Sequence, residues 1–354
     1  MSKFAVEVKT ISEVIVHPNA DNLTIYKLNG LGYQMISNVK YEVGASVVFF
    51  PVDSVMPLSL IELFGLANFL TGKDKNRVKT VRLRKEVSQG FICDIQSIVD
   101  LLKVPATQLS MMDLTEALGV IKWEPEPTPC TNGNLVKLPE VLSMYDIEGC
   151  DNYPDIIKMV VDQKIPVLIT EKLEGQNFSV TVMKDGKEYV SQRRFSIVEK
   201  DGGQHDMWEV ARREGILELV KSIRQDIDAD DVTVYGEHCG PGVQGNYYML
   251  KERTVYFFDL KINGKWVGGT DFLQIMTQKK MLTKVAPILA QNVLLEDWLA
   301  GKPVHEASNG KSVIHKDRLR EGIVIRPMTE AQVPSIGRLI IKQRDRIYLD
   351  KTDN

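Results

Sequence analysis

The chain has 354 residues, 44% of them apolar and 26% charged, with a formal net charge of −3. Domains commonly run to ~100–200 residues, so two are expected, and the slight negative charge excludes a surface coated in basic residues while leaving local patches open. No apolar run approaches the ~18 residues that cross a bilayer. The opening residues carry acid and alternation where a signal or transit segment would be apolar or basic. A soluble chain is expected, neither membrane-bound nor secreted. Cys93, Cys130, Cys150 and Cys239 are scattered and form no C-x-x-C pair. They suggest no disulfide framework or zinc site, which fits the cytoplasm or another reducing compartment.

In chain order, short strands are predicted over Phe4–Val8, Leu23–Leu28, Tyr33–Ile36, Ser46–Phe50, Lys79–Leu83 and Gly90–Cys93, separated by turn residues. A helix is predicted between Pro57 and Leu70. This spacing suggests a small β-barrel with one inserted helix, for which the OB fold is the natural candidate. The stretch from Lys73 to Lys85 holds seven cations against one acid. A charge run alone is usually a solvated face. On a nucleic-acid-binding barrel, Arg77, Lys79, Arg82, Arg84 and Lys85 would instead meet phosphates by sequence-independent attraction. Residues 101–120 read as helical. Three prolines within Lys122–Cys130 forbid a regular helix or central strand and mark a linker. The expected domains are 1–105, a helix and linker over 106–140, and 141–354.

The second domain reads as α+β. Its strands are predicted near Val167–Thr170, Ser179–Met183, Val232–Tyr235, Thr254–Leu260, Gly322–Arg326 and Leu339–Lys342. Helices are predicted over Met207–Arg224 and Asp271–Leu289. At the exit of its first strand stands Thr-Glu-Lys172-Leu-Glu-Gly-Gln-Asn177. A lone K-x-x-G is a weak signal, but four further stretches follow in order: Tyr235-Gly-Glu237, Tyr256-Phe-Phe-Asp-Leu260, Glu321-Gly-Ile-Val-Ile-Arg-Pro327 and Leu339-Ile-Ile-Lys-Gln-Arg344.

This series resembles the motifs of the covalent nucleotidyltransferases, the polynucleotide ligases and capping enzymes, over roughly residues 142–350. The Glu-Lys-x-x-Gly-x-Asn stretch and the run from Tyr235 to Gln244 are similar to RNA-repair ligases. An OB module placed first resembles the RNA ligase 5 group. The resemblance implies an OB-fold barrel followed by a ligase-type nucleotidyltransferase domain, with ATP-grasp-like antiparallel sheets and flanking helices. It also implies an ATP-dependent RNA ligase that forms lysyl-AMP on Lys172, adenylylates a 5′-phosphate and seals it to a 3′-OH. The expected partner is a nicked RNA duplex, and the expected state is a monomer.

By the same resemblance Mg²⁺ or Mn²⁺ would be held by Glu174, Glu237 and Glu321, with the lysine engaged through the ion's water shell. An ordinary lysine, with a pKa of ~10.4, is protonated and not nucleophilic, so cations, a metal or desolvation must help free it. Lys342 and Arg344 are the cations expected to act there and on the α-phosphate. Glu237 would also touch the ribose, Phe258 would stack on adenine, and Arg193 or Arg194 would meet sugar or phosphates. Glu171, Asn177 and Arg326 complete the expected nucleotide contacts. Phe257 and Phe258 point to opposite faces, so one of them is a core residue.

Gly240-Pro-Gly-Val-Gln-Gly245 is a formal G-x-G-x-x-G, but no helix is expected to open on it, which excludes a dinucleotide fold. His238 and Cys239 are read as loop residues. Three other functions remain open at this stage. A DNA ligase or GTP-dependent capping enzyme would share the chemistry, though those families commonly place aspartate at Glu174 and an OB domain after the last motif. A non-catalytic OB-fold RNA-binding protein is the second, and a tRNA-binding accessory module, which explains only the first hundred residues, is the third.

Overall fold

The computed structural model describes residues 4–72, 74–123, 133–199, 205–345 and 347–348, so Lys73 and residues 124–130 of the expected linker, Cys130 included, lie outside the described residues. The chain divides into two compact units. One comprises residues 3–126 and 151–155; the other comprises 127–150 and 156–354 with the first two residues. Residues 106–126, expected to belong to the connection, cluster with the first unit. Among the described residues no helix is long and apolar enough to cross a membrane.

The N-terminal unit runs β1 (Glu7–Val16), β2 (Thr24–Leu28), β3 (Gln34–Ser37), β4 (Ser46–Phe50), β5 (Ser54–Val55), α1 (Leu58–Leu63), β6 (Thr80–Leu83), β7 (Glu86–Gln89), β8 (Phe91–Asp94), α2 (Ile95–Leu102), α3 (Ala106–Leu109), α4 (Leu114–Ala117) and β9 (Ile121–Lys122). Its main sheet has the order β3-β2-β1-β4-β8. The expected barrel is a half-barrel. β7 lies against β3 through side chains, Ile36 N–H donating to Ser88 Oγ at 3.0 Å and Gln34 Nε2 to the Val87 carbonyl at 3.0 Å. The strand expected at Phe4–Val8 starts at Glu7 and continues to Val16. The helix expected to reach Leu70 ends at Leu63. Residues 101–120 break into short helices, because Pro105 interrupts one and Asp113, whose side chain accepts from the Thr115 and Glu116 N–H groups, caps another. The sheet's inner face packs Val48 and Phe50 against Met56, Leu60 and Ile98.

The C-terminal unit contains β10 (Gly133–Lys137), β11 (Glu148–Gly149), α5 (Pro154–Asp162), β12 (Pro166–Lys172), β13 (Gln176–Met183), β14 (Glu188–Ser191), β15 (Phe195–Glu199), α6 (Asp206–Arg213), α7 (Ile216–Asp226), β16 (Asp231–Cys239), β17 (Thr254–Ile262), β18 (Lys265–Trp266), α8 (Gly269–Gln278), β19 (Ile288–Leu294), β20 (Gly322–Pro327), β21 (Gln332–Val333), β22 (Gly337–Arg338) and β23 (Ile341–Arg344). α5 begins at Pro154, within the short stretch that clusters with the first unit. A seven-stranded sheet has the order β10-β15-β14-β13-β16-β17-β18, and a five-stranded sheet has the order β11-β23-β20-β12-β19. Among the described strands of these two sheets the pairings are antiparallel except β11 with β23.

Phe178, Val180 and Val182 of β13 and Val232 and Val234 of β16 pack against Leu219, Val220 and Ile223 of α7. Each such apolar side chain stabilises the fold by roughly 1.5–3 kcal/mol when fully buried. The helix expected over Met207–Arg224 is two helices divided at Gly215. The one expected over Asp271–Leu289 ends at Gln278, where the chain turns left-handed at Lys280 (φ 58°), and Ile288–Leu294 instead extend the sheet beside β12. His238 and Cys239 are not loop residues: both are buried within β16. Burial lowers the His238 pKa to about 4 and raises that of the Cys239 thiol.

Candidate active site

Five consecutive buried residues, Val167–Glu171, carry β12 through the core, and the strand emerges at Lys172. Antiparallel register with β20 sets Lys172 opposite Gly322 and so brings Glu321 beside the lysine. Lys172 Nζ donates to Glu321 Oε2 at 2.6 Å. The same sheet pairs Gly322 with Arg344, whose Nε lies 3.4 Å from Glu321 Oε1. A Cβ at Gly322 would stand 2.1 Å from the Gln343 carbonyl oxygen, which explains the glycine after Glu321. The K-x-x-G glycine has a like cause: a Cβ at Gly175 would meet the His238 oxygen at 2.5 Å and Glu237 Cγ at 2.9 Å. Only glycine lets the turn after Lys172 close against β16.

That closure pairs Asn177 of β13 with Glu237 of β16. Burial pushes the Glu237 carboxyl up to about 8, with Lys172 opposing and Glu321 and Glu174 adding repulsion. Burial also raises Glu321, again against the pull of Lys172. Glu174 is held at both ends, its N–H donating to Tyr248 Oη at 2.7 Å and its Oε2 accepting from the Tyr348 hydroxyl. Lys342, opposite Val324 in β23, is held below the usual lysine range by burial, with Lys172 and Arg193 repelling it and Asp146 partly offsetting them. Arg193 forms an ion pair with Asp146.

At the apolar end, alternation along β17 sends Phe257 into the core, 1% exposed, and Phe258 towards Tyr145, ring centroids 4.8 Å apart. Beneath them Asp259 is fully buried and accepts from Tyr145 Oη at 2.7 Å, Arg326 Nη1 at 3.1 Å and Arg338 Nη1 at 2.5 Å. Burial alone would raise Asp259, but the two guanidiniums and these hydrogen bonds outweigh it and hold the carboxyl below its ordinary value. Arg326 lines the cleft and is also tied to the residues beneath it. Its terminal nitrogens bond the Phe258 carbonyl, Asp259 and the Val267 carbonyl, which makes it a strut under the cleft floor.

These elements enclose a cleft of about 410 Å³ between the two sheets, a size suited to a nucleotide. Of the expected residues, Glu171, Lys172, Asn177, Arg193, Glu237, Phe258, Arg326 and Lys342 line it. Glu174, Arg194, Glu321 and Arg344 do not; Glu321 and Arg344 form the ion-paired backing of the lysine. Among the described residues no group of three or more histidines, cysteines or acids is close enough to hold a metal directly. Sequence reasoning missed Tyr145, Asp146, Gln192 and Gln244. Gln244 stood in the run that carried the resemblance; Tyr145 and Asp146 precede every motif and gave no signal.

In the N-terminal unit the basic stretch divides. Arg77 is held within the unit: its Nε and Nη2 bond Asp53 Oδ1 at 2.9 and 2.5 Å, and its guanidinium stacks over Trp123. Lys79, Arg82, Arg84 and Lys85 are exposed.

Known proteins place the chain. The RNA ligase family model matches residues 165–343, just over half of the chain, and an OB-fold domain model matches residues 5–95. No curated protein matches it. The chain is similar in structure to Naegleria gruberi RNA ligase with PPi, at 23% identity and TM-score 0.66, covering 99% of this chain and 100% of that one. A mutant of that enzyme with ATP and Mn gives 22% and 0.66, covering 99% of each chain. Another mutant, with AMP and Mn, gives 21% and 0.68, covering 99% of this chain and 100% of that one. At such identity the likeness establishes the fold alone. The family match, which spans Lys172, Glu237, Glu321 and Lys342, shows that this chain belongs to the RNA ligase family.

Proposed function

We propose that the chain is an ATP-dependent RNA ligase acting through Lys172. The observation that carries this reading is a lysine paired with a buried carboxylate at the mouth of a nucleotide-sized cleft, with a second cation, Lys342, on its wall. In the first step the Lys172 Nζ lone pair attacks the α-phosphorus of ATP, the bond to the β-phosphate oxygen breaks, and pyrophosphate leaves. Glu321, 2.6 Å from the nitrogen, is within reach of the departing ammonium proton. Lys342 and Arg193 meet the charge that develops on the phosphates. AMP then passes from Lys172 to an RNA 5′-phosphate, and a 3′-hydroxyl displaces it to form the phosphodiester.

The base end favours adenine. Phe258 and Tyr145 offer aromatic faces, and Glu171 Oε1 is buried with no partner among the described residues. The adenine amino group supplies the donor that this oxygen lacks, whereas guanine presents a carbonyl there.

The carboxylates suit a divalent cation bound through water. Glu237 is pushed up to about 8 by burial and by Glu321 and Glu174, a crowding that positive charge relieves. Glu174, Glu237 and Glu321 would hold Mg²⁺ or Mn²⁺ by its hydration shell. Such an ion would supply positive charge to the α-phosphate and to the leaving pyrophosphate. The N-terminal unit would hold the RNA, for which a nicked duplex is the proposed form.

The test is a chase. Protein labelled with α-³²P-ATP is freed of nucleotide and mixed with a nicked RNA duplex bearing a 5′-phosphate. Label should move to the RNA end and then leave as AMP as the nick closes. Label that stays on the protein with every RNA offered would sink the proposal.

A further inference from the structure

The hairpin β6–β7 pairs Leu83 with Glu86 and closes through just two residues, Arg84 and Lys85. Their φ angles are 48° and 80°. A two-residue turn with both central residues left-handed is one that Asn-Gly makes most easily, because an L side chain adopts that conformation at a steric cost. Here two exposed cations occupy it. Among the described residues none of Lys79, Arg82, Arg84 and Lys85 is in an ion pair with a carboxylate, in contrast to Arg77.

The tip is also held from outside. The β1–β2 connection reaches it at two adjacent carbonyls. His17 is 3% exposed, and its Nδ1 accepts the Asn19 N–H at 3.1 Å. The ring proton is therefore on Nε2, which donates to the Leu83 carbonyl at 3.1 Å. Asn19 Nδ2 donates to the Arg84 carbonyl at 3.0 Å. Arg82 Nη1 reaches the Lys85 carbonyl at 3.3 Å from within the hairpin. The base of the hairpin is fixed to β3 by the bonds at Val87 and Ser88. A charged tip that is sterically costly, unpaired and clamped is preorganised for a ligand of opposite charge, since strain of this kind persists where function requires it.

We propose that this hairpin is a preset finger for the RNA phosphate backbone, with Arg84 and Lys85 as its contacts and His17 and Asn19 as the residues that position them. This rests on the RNA ligase reading, which supplies the polyanion.

The test uses the full chain and a fluorescent nicked RNA duplex without ATP, with affinity measured across a salt series. The double variant Arg84→Asn with Lys85→Gly gives the turn its easiest sequence while removing two charges. Its log Kd against log salt slope should be shallower by about 2, its affinity at ~0.1 M salt at least about tenfold weaker, and its Tm equal to or above the parent's. Asn19→Ala keeps every cation, so its slope should match the parent while affinity falls by about threefold. Unchanged slope and affinity in the double variant would overturn the finger, as would a loss of binding that comes with a fall in Tm. Unchanged affinity in Asn19→Ala would overturn the positioning role. Lysyl-AMP formation by the parent chain needs no RNA and is run alongside. Its absence would count against the ligase reading, separately from what the binding curves say of the finger.

Discussion

Lys172 Nζ donates to Glu321 Oε2 at 2.6 Å across a sequence separation of 149 residues. The pair exists because β12 and β20 are antiparallel neighbours in register, with Gly322 opposite the lysine. Glu321→Gln keeps the shape of the side chain and removes the charge that orients the ammonium. Lysyl-AMP formation is expected to fall by about 10²-fold or more, a loss on the scale of removing one preorganised group from a site where charge develops. Single-turnover labelling with α-³²P-ATP measures it, and circular dichroism should show an unchanged fold.

Tyr348 donates to Glu174, the carboxylate two residues beyond Lys172. Tyr348→Phe deletes one hydroxyl and keeps the ring that packs edge-on to Tyr247. If Glu174 takes part in holding the metal, the divalent-cation concentration for half-maximal adenylylation should rise about tenfold, the usual scale for losing a group that orients a ligand. Saturating rates should change far less. A Mn²⁺ titration of the labelling reaction reads both.

Adjacent phenylalanines separate the two faces of β17. Phe257→Ala empties a core position and should cost about 3–5 kcal/mol of stability. Phe258→Ala should leave the fold standing and raise the KM for ATP about tenfold or more, since stacking a base on an aromatic ring is worth roughly 1–3 kcal/mol. Urea unfolding and steady-state kinetics on both variants check the division. Equal effects on stability would place both rings in the core.

Asp259 ties Tyr145, Arg326 and Arg338 together under the cleft. Its native carboxyl is depressed below the ~3.9 of an unfolded aspartate. The unfolded state therefore binds the proton first as pH falls, so the stabilisation is complete above ~4 and is lost as pH drops through the lower native value. Asp259→Ala leaves two buried guanidiniums without that partner and should destabilise by about 3–5 kcal/mol at neutral pH. The difference in Tm between parent and variant should shrink on acidification below about pH 4.

The order of the motifs was more legible in the sequence than the shape around them. Lys172, Glu237, Glu321 and Lys342 stood out through the order of their motifs, and the fold brings Lys172, Glu237 and Lys342 to one cleft with Glu321 against the lysine. Phe257 and Phe258 could be sorted into two faces, though period-two alternation alone did not say which faced the core. The internal pairing of Arg77 was not foreseeable because its partners, Asp53 and Trp123, lie 24 and 46 positions away, and a charge run carries no sign of which member is neutralised. Tyr145, Asp146 and Tyr348 reach the site through pairings at long sequence separation that no local pattern records. Helix boundaries failed where one residue decides them, at Pro105, Gly215 and Lys280.

Lys172 itself is the residue proposed to carry AMP. Intact-mass analysis of the chain after incubation with ATP and Mg²⁺ tests it, with Lys172→Ala treated in the same way. The parent should gain the mass of one adenylyl group, lost on mild acid treatment as a phosphorus–nitrogen bond requires, and the variant should gain nothing. An adduct of equal yield on Lys172→Ala, or a parent chain that takes up no AMP with either Mg²⁺ or Mn²⁺, would contradict it.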